Sequence, residues 1–402
     1  MPAELSSPIP AALTQLTHTD PHQLEQAEAP HLLAYLAAVP DPRAARGRRH
    51  PLVAILAMAA AAVLAGARSI TAIAEWAADT PQEVRAALGA RQQAPGCFGV
   101  PAEATIRRTL ARLDADALAG MIGAWLADQQ PQGQAASRRR AVAVDGKTVR
   151  GARTAGGDGR PPHLLAAMDH QRRAVLAQCQ VSGAPEEVPA FAPLLADLDL
   201  DGVVVTADAL QTHPQAAEFL VTHKHAHYLF VVKANQPTLL ERCQRLPWHH
   251  VPVADRTRDR GHGRVELRTL KVVSVNGFGF PHAAQVLQVT RKRRDLHTTR
   301  WQTVTVYAIT SLPFELARPA RLADLLRSHW AIENGLHWVR DVTFAEDDSQ
   351  VRTGAAPHVM AVLRNLVIGA LSQAGPVNVA AALRRHARDP YRPLATLGIS
   401  LG

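Results

Sequence analysis

The chain has 402 residues, 47% of them apolar, with a formal charge of +9 and a pI near 10.1. That length can bury a sizeable core in two or three domains. The basic balance, mostly arginine, suits a polyanionic partner, although GC-rich coding also favours arginine, alanine and proline. Cys97, Cys179 and Cys243 are too scattered for a zinc site or a disulfide framework, and they fit a reducing compartment.

Residues 1–25 are polar and proline-containing, and read as a loose tail without the charged start and apolar core of a signal peptide. Residues 26–130 carry helical periodicity. His31 to Leu36 is one short helix, and Leu52 to Ala67 is alanine-rich and too short for a bilayer, which predicts a buried helix. Thr71 to Ala78, Pro81 to Leu88 and Pro101 to Leu113 follow, the last bearing Arg107, Arg108 and Arg112. An arginine-bearing last helix fits a helix-turn-helix that contacts DNA, and a plain structural bundle gives similar strings. Residues 131–140, ending Arg138-Arg139-Arg140, read as a basic linker.

The texture then turns to strands, in a catalytic region spanning 141–375. Ala141 to Asp145 is a strand, and His163 to Met168 with Ala174 to Val181 is a hairpin. A helix over Val188 to Leu198, a strand over Val203 to Asp208, a helix over His213 to Thr222 and a strand over Tyr228 to Val232 predict a mixed sheet flanked by helices. An all-β insertion is expected at about 240–312, with strands Val265 to Val275, Ala284 to Thr290 and Thr303 to Thr310. Its loops hold Arg256, Arg258, Arg260, Arg264 and the run Arg291 to Arg294, expected to clamp a DNA backbone. Helix returns over Leu316 to Arg340, with a break near Pro319, and over His358 to Leu371. Residues 376–402 read as a tail.

Asp145 and Asp208 each end an apolar run, a common active-site position because strand ends open onto the crevice of an α/β sheet; a single one could equally cap a turn. On the later helix His329, His337 and Arg340 share a face with Glu333, against the plainer reading of a solvated face with Trp330 and Leu336 packed inward. Three carboxylates from two strand ends and a helix form a hard-oxygen set for two Mg²⁺ or Mn²⁺ ions, which clamp the attacking and leaving oxygens of a phosphodiester. Asp145-Gly146-Lys147-Thr148 lacks the first P-loop glycine, so Lys147 is assigned to a nucleic-acid phosphate. The alternating His223, His225 and His227 have no acidic or thiol neighbour and read as a surface helix end.

These strings together resemble a bacterial insertion-sequence transposase of the DDE class, in the ISAs branch that includes H-repeat-associated proteins. The likeness runs from about residue 30 onward. It rests on Val39-Pro40-Asp41-Pro42-Arg43, Ala65-Gly66-Ala67-Arg68-Ser69, Ala74-Glu75-Trp76, Ala143-Val144-Asp145-Gly146-Lys147, Thr206-Ala207-Asp208-Ala209, Val232-Lys233-Ala234-Asn235-Gln236-Pro237 and Gly263-Arg264-Val265-Glu266. The most specific string is His329 to Trp338, with Asp341 to Asp347 after it.

The resemblance implies an RNase H-like fold with a β insertion before the glutamate helix, and Asp145, Asp208 and Glu333 as the catalytic, metal-binding triad. It implies DNA contacts at Lys147, Lys233, Asn235, Arg264, Arg327, His329, His337 and Arg340, beside those of Arg107, Arg108 and Arg112. In the wider superfamily's Tyr, Arg, Glu, Lys pattern, Leu326 stands at the tyrosine, His329 at the arginine and Arg340 at the lysine. The segment Ala184 to Pro189 also departs from the usual Lys-x-Asn-Glu-Ile-Pro.

The expected partner is double-stranded DNA, both element ends and target, bound by a homodimer in the bacterial cytoplasm at the nucleoid, with no membrane. The competing readings are a catalytically silent, transposase-derived DNA-binding protein and, less well supported, a general metal-dependent nuclease.

Overall fold

The computed structural model describes residues 31–46, 48–129, 140–153, 160–261, 263–373 and 378–401. The expected tail over 1–25 and most of the basic linker lie outside these. Helices α1 (Leu32–Ala37), α2 (Leu52–Leu64), α3 (Ile70–Asp79) and α4 (Gln82–Ala87) come first. In α2 every residue but Val53 is buried, which is why its sequence shows no polar face. Ser69 caps α3 by accepting from the Ala72 amide at 3.1 Å. A short hairpin, β1 (Gln92–Ala94) with β2 (Cys97–Phe98), was not foreseen; it is exposed and has no apolar alternation to betray it. Next come α5 (Glu103–Leu110) and α6 (Ala115–Asp128). On α5 Ile106 and Leu110 point inward, while Arg107, Arg108 and Arg112 just beyond are exposed.

Strands β3 (Ala141–Thr148), β4 (His163–Asp169) and β5 (Val175–Val181) form an antiparallel run, with the expected hairpin in place. Helix α7 (Glu187–Leu195), β6 (Val204–Ala207), α8 (Pro214–Glu218), β7 (His227–Val232) and α9 (Pro237–Arg245) follow. β3, β6 and β7 pair in parallel and are buried on both faces, as helical crossovers require.

Among the described residues, nine strands make one sheet in the order β5-β4-β3-β6-β7-β11-β10-β9-β8. Its last members are β8 (Asp255–Gly261), β9 (Arg264–Ser274), β10 (Gln285–Asp295) and β11 (Gln302–Thr310). They join the sheet through β11 against β7, with Tyr307 opposite Val232 and Thr310 opposite Leu229. The segment also begins with helix α9. The arginines expected in a loop instead build edge strand β8, whose alternating charges carry no apolar signal.

One sheet face is covered by α7, α8 and α9 around Val142, Val144, Val205 and Phe230. The other takes α10 (Pro319–His329) on Ala141, Val204 and Leu287, and the helical bundle on Ala143 and Met168. Pro319 opens α10 at its first turn, where the missing amide costs nothing. Helix α11 (Ala356–Gln373) then packs on α2 and α6, so one core unites the N-terminal helices with the chain's end. The expected C-terminal tail is folded too. Helices α12 (Val379–His386) and α13 (Tyr391–Thr396) bury Leu383, Leu394 and Leu397 in that core, leaving polar faces outward.

After α10 the chain does not continue as one α-helix to Arg340. It runs through two wide π turns, Glu333–His337 and Val339–Thr343. Each residue added to a helical turn rotates the next stretch of chain by about 100°. That rotation removes Arg340 from the face of Glu333. Trp330, just before the π turns, is 60% exposed and Leu336 is buried, so the plainer reading of both packed inward holds for Leu336 alone.

Candidate active site

Asp145 sits within β3, not at its end: the strand runs on to Thr148, while the neighbouring β6 stops at Ala207, opposite Val144. Asp145 is therefore level with Asp208, which begins the loop after β6. The alternation of β3 turns Asp145 toward the face that carries α10 and the π turns. Gly146 faces the other way, where an added Cβ would run into the Glu187 carboxylate and the His163 ring.

Glu333 and His337 come down onto Asp145 from the first π turn. His337 Nδ1 lies 3.6 Å from Asp145 Oδ2 and 3.8 Å from Glu333 Oε2. One ligand atom from each of the three residues falls within 4.8 Å of the others. Asp208 stands apart from that trio. Its Oδ1 lies 2.8 Å from Lys233 Nζ and accepts from the Ala209 amide at 2.6 Å. All three carboxylates line a single cleft of about 690 Å³, which Arg264, Arg268 and Arg327 also line.

Burial pushes the Asp145 carboxyl up from 3.8 to about 8, and the negative charges of Glu333, Glu187 and Asp208 add to this. Glu333 moves down because His337 hydrogen-bonds it. Burial lowers His337 and holds it neutral, which leaves it able to donate to or ligate from Nδ1. His329 is also pushed down, to about 4, by burial; its Nδ1 lies 3.0 Å from Thr206 Oγ1. That hydroxyl also meets His170 Nε2 at 2.8 Å.

Several expected DNA contacts are engaged elsewhere. Lys147 is buried and its Nζ is 2.6 Å from Asp341 Oδ1, so it faces a carboxylate rather than solvent. Arg340 is fully buried, 2.7 Å from Glu346 Oε2, and Arg364 grips the same carboxylate at 2.6 Å. No DNA can reach it there. Asn235 donates to the Ala209 carbonyl at 2.7 Å and so braces the loop of Asp208. His337 is turned inward to the acids. His223 ends a π turn, His225 is left-handed and His227 opens β7, so the three share no face.

One group was missed in the sequence. Glu187, buried under Gly146, accepts from Gln211 Nε2 at 2.8 Å and pairs with His163 Nε2 at 2.6 Å. It ties the turn after Asp208 to β4 across the strand of Asp145. The available signal was its place in Ala184 to Pro189, at the glutamate of the usual Lys-x-Asn-Glu-Ile-Pro string.

Residues 136–369 match the family described as "Transposase DDE domain", and residues 33–126 match "DDE_Tnp_1-associated". The chain belongs to the DDE transposase family. It is 27% identical to the "Putative transposase YncI" of Escherichia coli O157:H7 over 85% of this chain and 87% of that one. It is 26% identical to the "H repeat-associated putative transposase YhhI" of E. coli K12, over 86% and 91%. A solved piggyBac transposase synaptic complex with hairpin DNA gives a TM-score of 0.39 at 9% identity, covering 96% of this chain and 76% of that one, too loose to carry over any residue.

DDE transposases generally use a divalent metal, and the donor set here fits one. Two carboxylates and one imidazole converge, and burial with neighbouring acids disfavours the ionised form of Asp145, which a bound cation would restore. Among the described residues no helix is long and apolar enough to cross a membrane.

Proposed function

We propose that this chain is the transposase of a bacterial insertion sequence. It binds the inverted repeats at the element's ends as double-stranded DNA, cuts a strand at each, and joins the freed 3′-hydroxyls to target DNA. The observation that carries this reading is the convergence of Asp145, Glu333 and His337 in a cleft that Asp208 also lines. We read the β5-β4-β3-β6-β7 part of the sheet as RNase H-like and strands β8 to β11 as the β insertion ahead of the glutamate segment. The order of strands and the long hairpins support this.

In this reading Asp145, Asp208, Glu333 and His337 hold two Mg²⁺ or Mn²⁺ ions. When bound, such ions neutralise charge at the scissile phosphate and activate the attacking water. Arg264 and Arg327, which line the same cleft, hold the flanking phosphates, and Lys233 holds Asp208 until the metal takes it. Arg107, Arg108 and Arg112 lie on a separate exposed surface and read the element's ends in a major groove. Two chains act together, one on each end. A catalytically silent DNA-binding descendant is the second reading, favoured by Lys233, which occupies the oxygens of Asp208.

The test is strand cutting in Mg²⁺ or Mn²⁺ on DNA bearing the inverted repeats that flank the gene. Asp145→Ala, Asp208→Ala and Glu333→Ala should each abolish cutting and leave end binding nearly intact. Binding without cutting in the wild-type chain would establish the silent reading instead.

A further inference from the structure

The register of the last four strands sorts their charges between the two faces of the sheet. Residues directly opposite one another share a face. Asp259, Glu266 and Arg293 therefore stand on one side, while Arg258, Leu267 and Lys292 stand on the other, as do Arg260, Val265 and Arg294. The first side is the cleft side, because Leu270 and Val289 on it line the cleft and pack beside α10.

On the cleft side cations and acids balance. Glu266 pairs with Arg268 and Arg291, Asp295 with Arg293, and Asp255 with Arg327. The far side of these strands holds Arg256, Arg258, Arg260, Lys271, Lys292 and Arg294, and no acid. Lys271 donates to the Trp248 carbonyl at 2.5 Å. The other five form no ion pair among the described residues. Arg256, Arg258, Arg260 and Lys292 are exposed, and Arg294 lies over the ring of Trp301 at 5.2 Å.

Protection of an edge strand from pairing would explain β8 alone. It does not explain Lys292 and Arg294, which stand on β10, two strands in and on the same face. Alternate residues along β8 are about 6.8 Å apart, which makes a comb of guanidinium groups suited to successive phosphates. We propose that this far face binds the phosphate backbone of a second DNA duplex, separate from the DNA engaged in the cleft. This rests on the reading that the chain acts on DNA.

The experiment uses the full chain and two duplexes, one carrying a donor dye and one an acceptor. Wild-type protein should bind one duplex by anisotropy and bring two together by energy transfer. Because two chains with one duplex in each cleft also give transfer, the deciding quantity is duplexes bound per chain: two for the wild type, and one for R256Q/R258Q/R260Q/K292Q, with single-duplex affinity kept. In the wild type the second binding step should fall with log salt at a slope of about 3–4, from roughly 0.9 per phosphate contact, while the variant's single-duplex slope stays that of the wild type. R256K/R258K/R260K, which keeps the charge, should still bind a second duplex per chain, though more weakly than the guanidinium groups do; loss of the second duplex there would overturn the proposal. A glutamine variant that still binds two duplexes per chain would overturn the far-face proposal while leaving the proposed function standing. Wild-type protein that binds no duplex at low salt would remove both. Polyglutamate competing as well as duplex would assign the face to an acidic protein and overturn the DNA assignment.

Discussion

The Nδ1 of His337 lies 3.6 Å from Asp145 Oδ2, joining a residue of the π turns to inner strand β3 of the sheet. Its position makes the imidazole part of the acidic cluster. His337→Ala should weaken Mn²⁺ binding by roughly 10–100-fold and leave duplex affinity within about twofold. Calorimetric titration with Mn²⁺ checks this; unchanged metal affinity would return His337 to a packing role.

Asp145 should make stability depend on pH. Its folded value, about 8, lies above the ordinary 3.8, so between these the folded chain keeps a proton that the unfolded chain has released. The folded state therefore loses stability as pH rises through that window. Asp145→Asn should flatten the dependence and stabilise the metal-free protein at pH 8 by roughly 1–3 kcal/mol. Urea melts at pH 5 and pH 8 decide it; equal slopes for both proteins would refute the shift.

Arg340, Glu346 and Arg364 form a buried unit of two cations on one acid. Removing the acid strands both charges, so Glu346→Ala should cost about 3–5 kcal/mol of stability. Arg340→Ala should lower the melting temperature without changing the salt dependence of DNA binding. A shallower salt slope for folded Arg340→Ala would show that it reaches phosphate after all.

Lys233 shares its charge with Asp208 in an exposed pair worth at most about 1 kcal/mol. Lys233→Met should leave stability nearly unchanged and tighten Mn²⁺ binding severalfold, because the ammonium no longer competes for the carboxylate. Weaker metal binding in this variant would mean that Lys233 orients Asp208 and does not compete with the cation.

End recognition should reside in α5. Arg107→Ala, Arg108→Ala and Arg112→Ala together should reduce discrimination between end DNA and scrambled DNA by at least tenfold, since each bidentate arginine–guanine pair is worth roughly 1–3 kcal/mol. The full chain is the right test object, because α11 completes the core of the N-terminal helices and a fragment ending near residue 130 would lack it. Unchanged discrimination would move recognition to another surface.

The amino-acid sequence by itself determined the parts whose signal is local. The apolar runs before Asp145 and Asp208, the hairpin at 163–181 and the alanine-rich α2 are legible because burial on both faces, runs on either side of a polar turn and small-residue helices each leave a pattern along the chain. Motif likeness likewise singled out Asp145, Asp208 and Glu333. What only the tertiary structure decided depends on groups distant in sequence. The π turns place His337 on Asp145 and send Arg340 inward, a rotation that no helical period announces. Lys147 and Arg340 look like free cations until Asp341 and Glu346 are seen against them, because neutralisation by a partner is a property of packing. The arginines of β8 read as a loop until pairing with β9 gives them a face, since which side of a sheet a charge occupies is fixed by register alone.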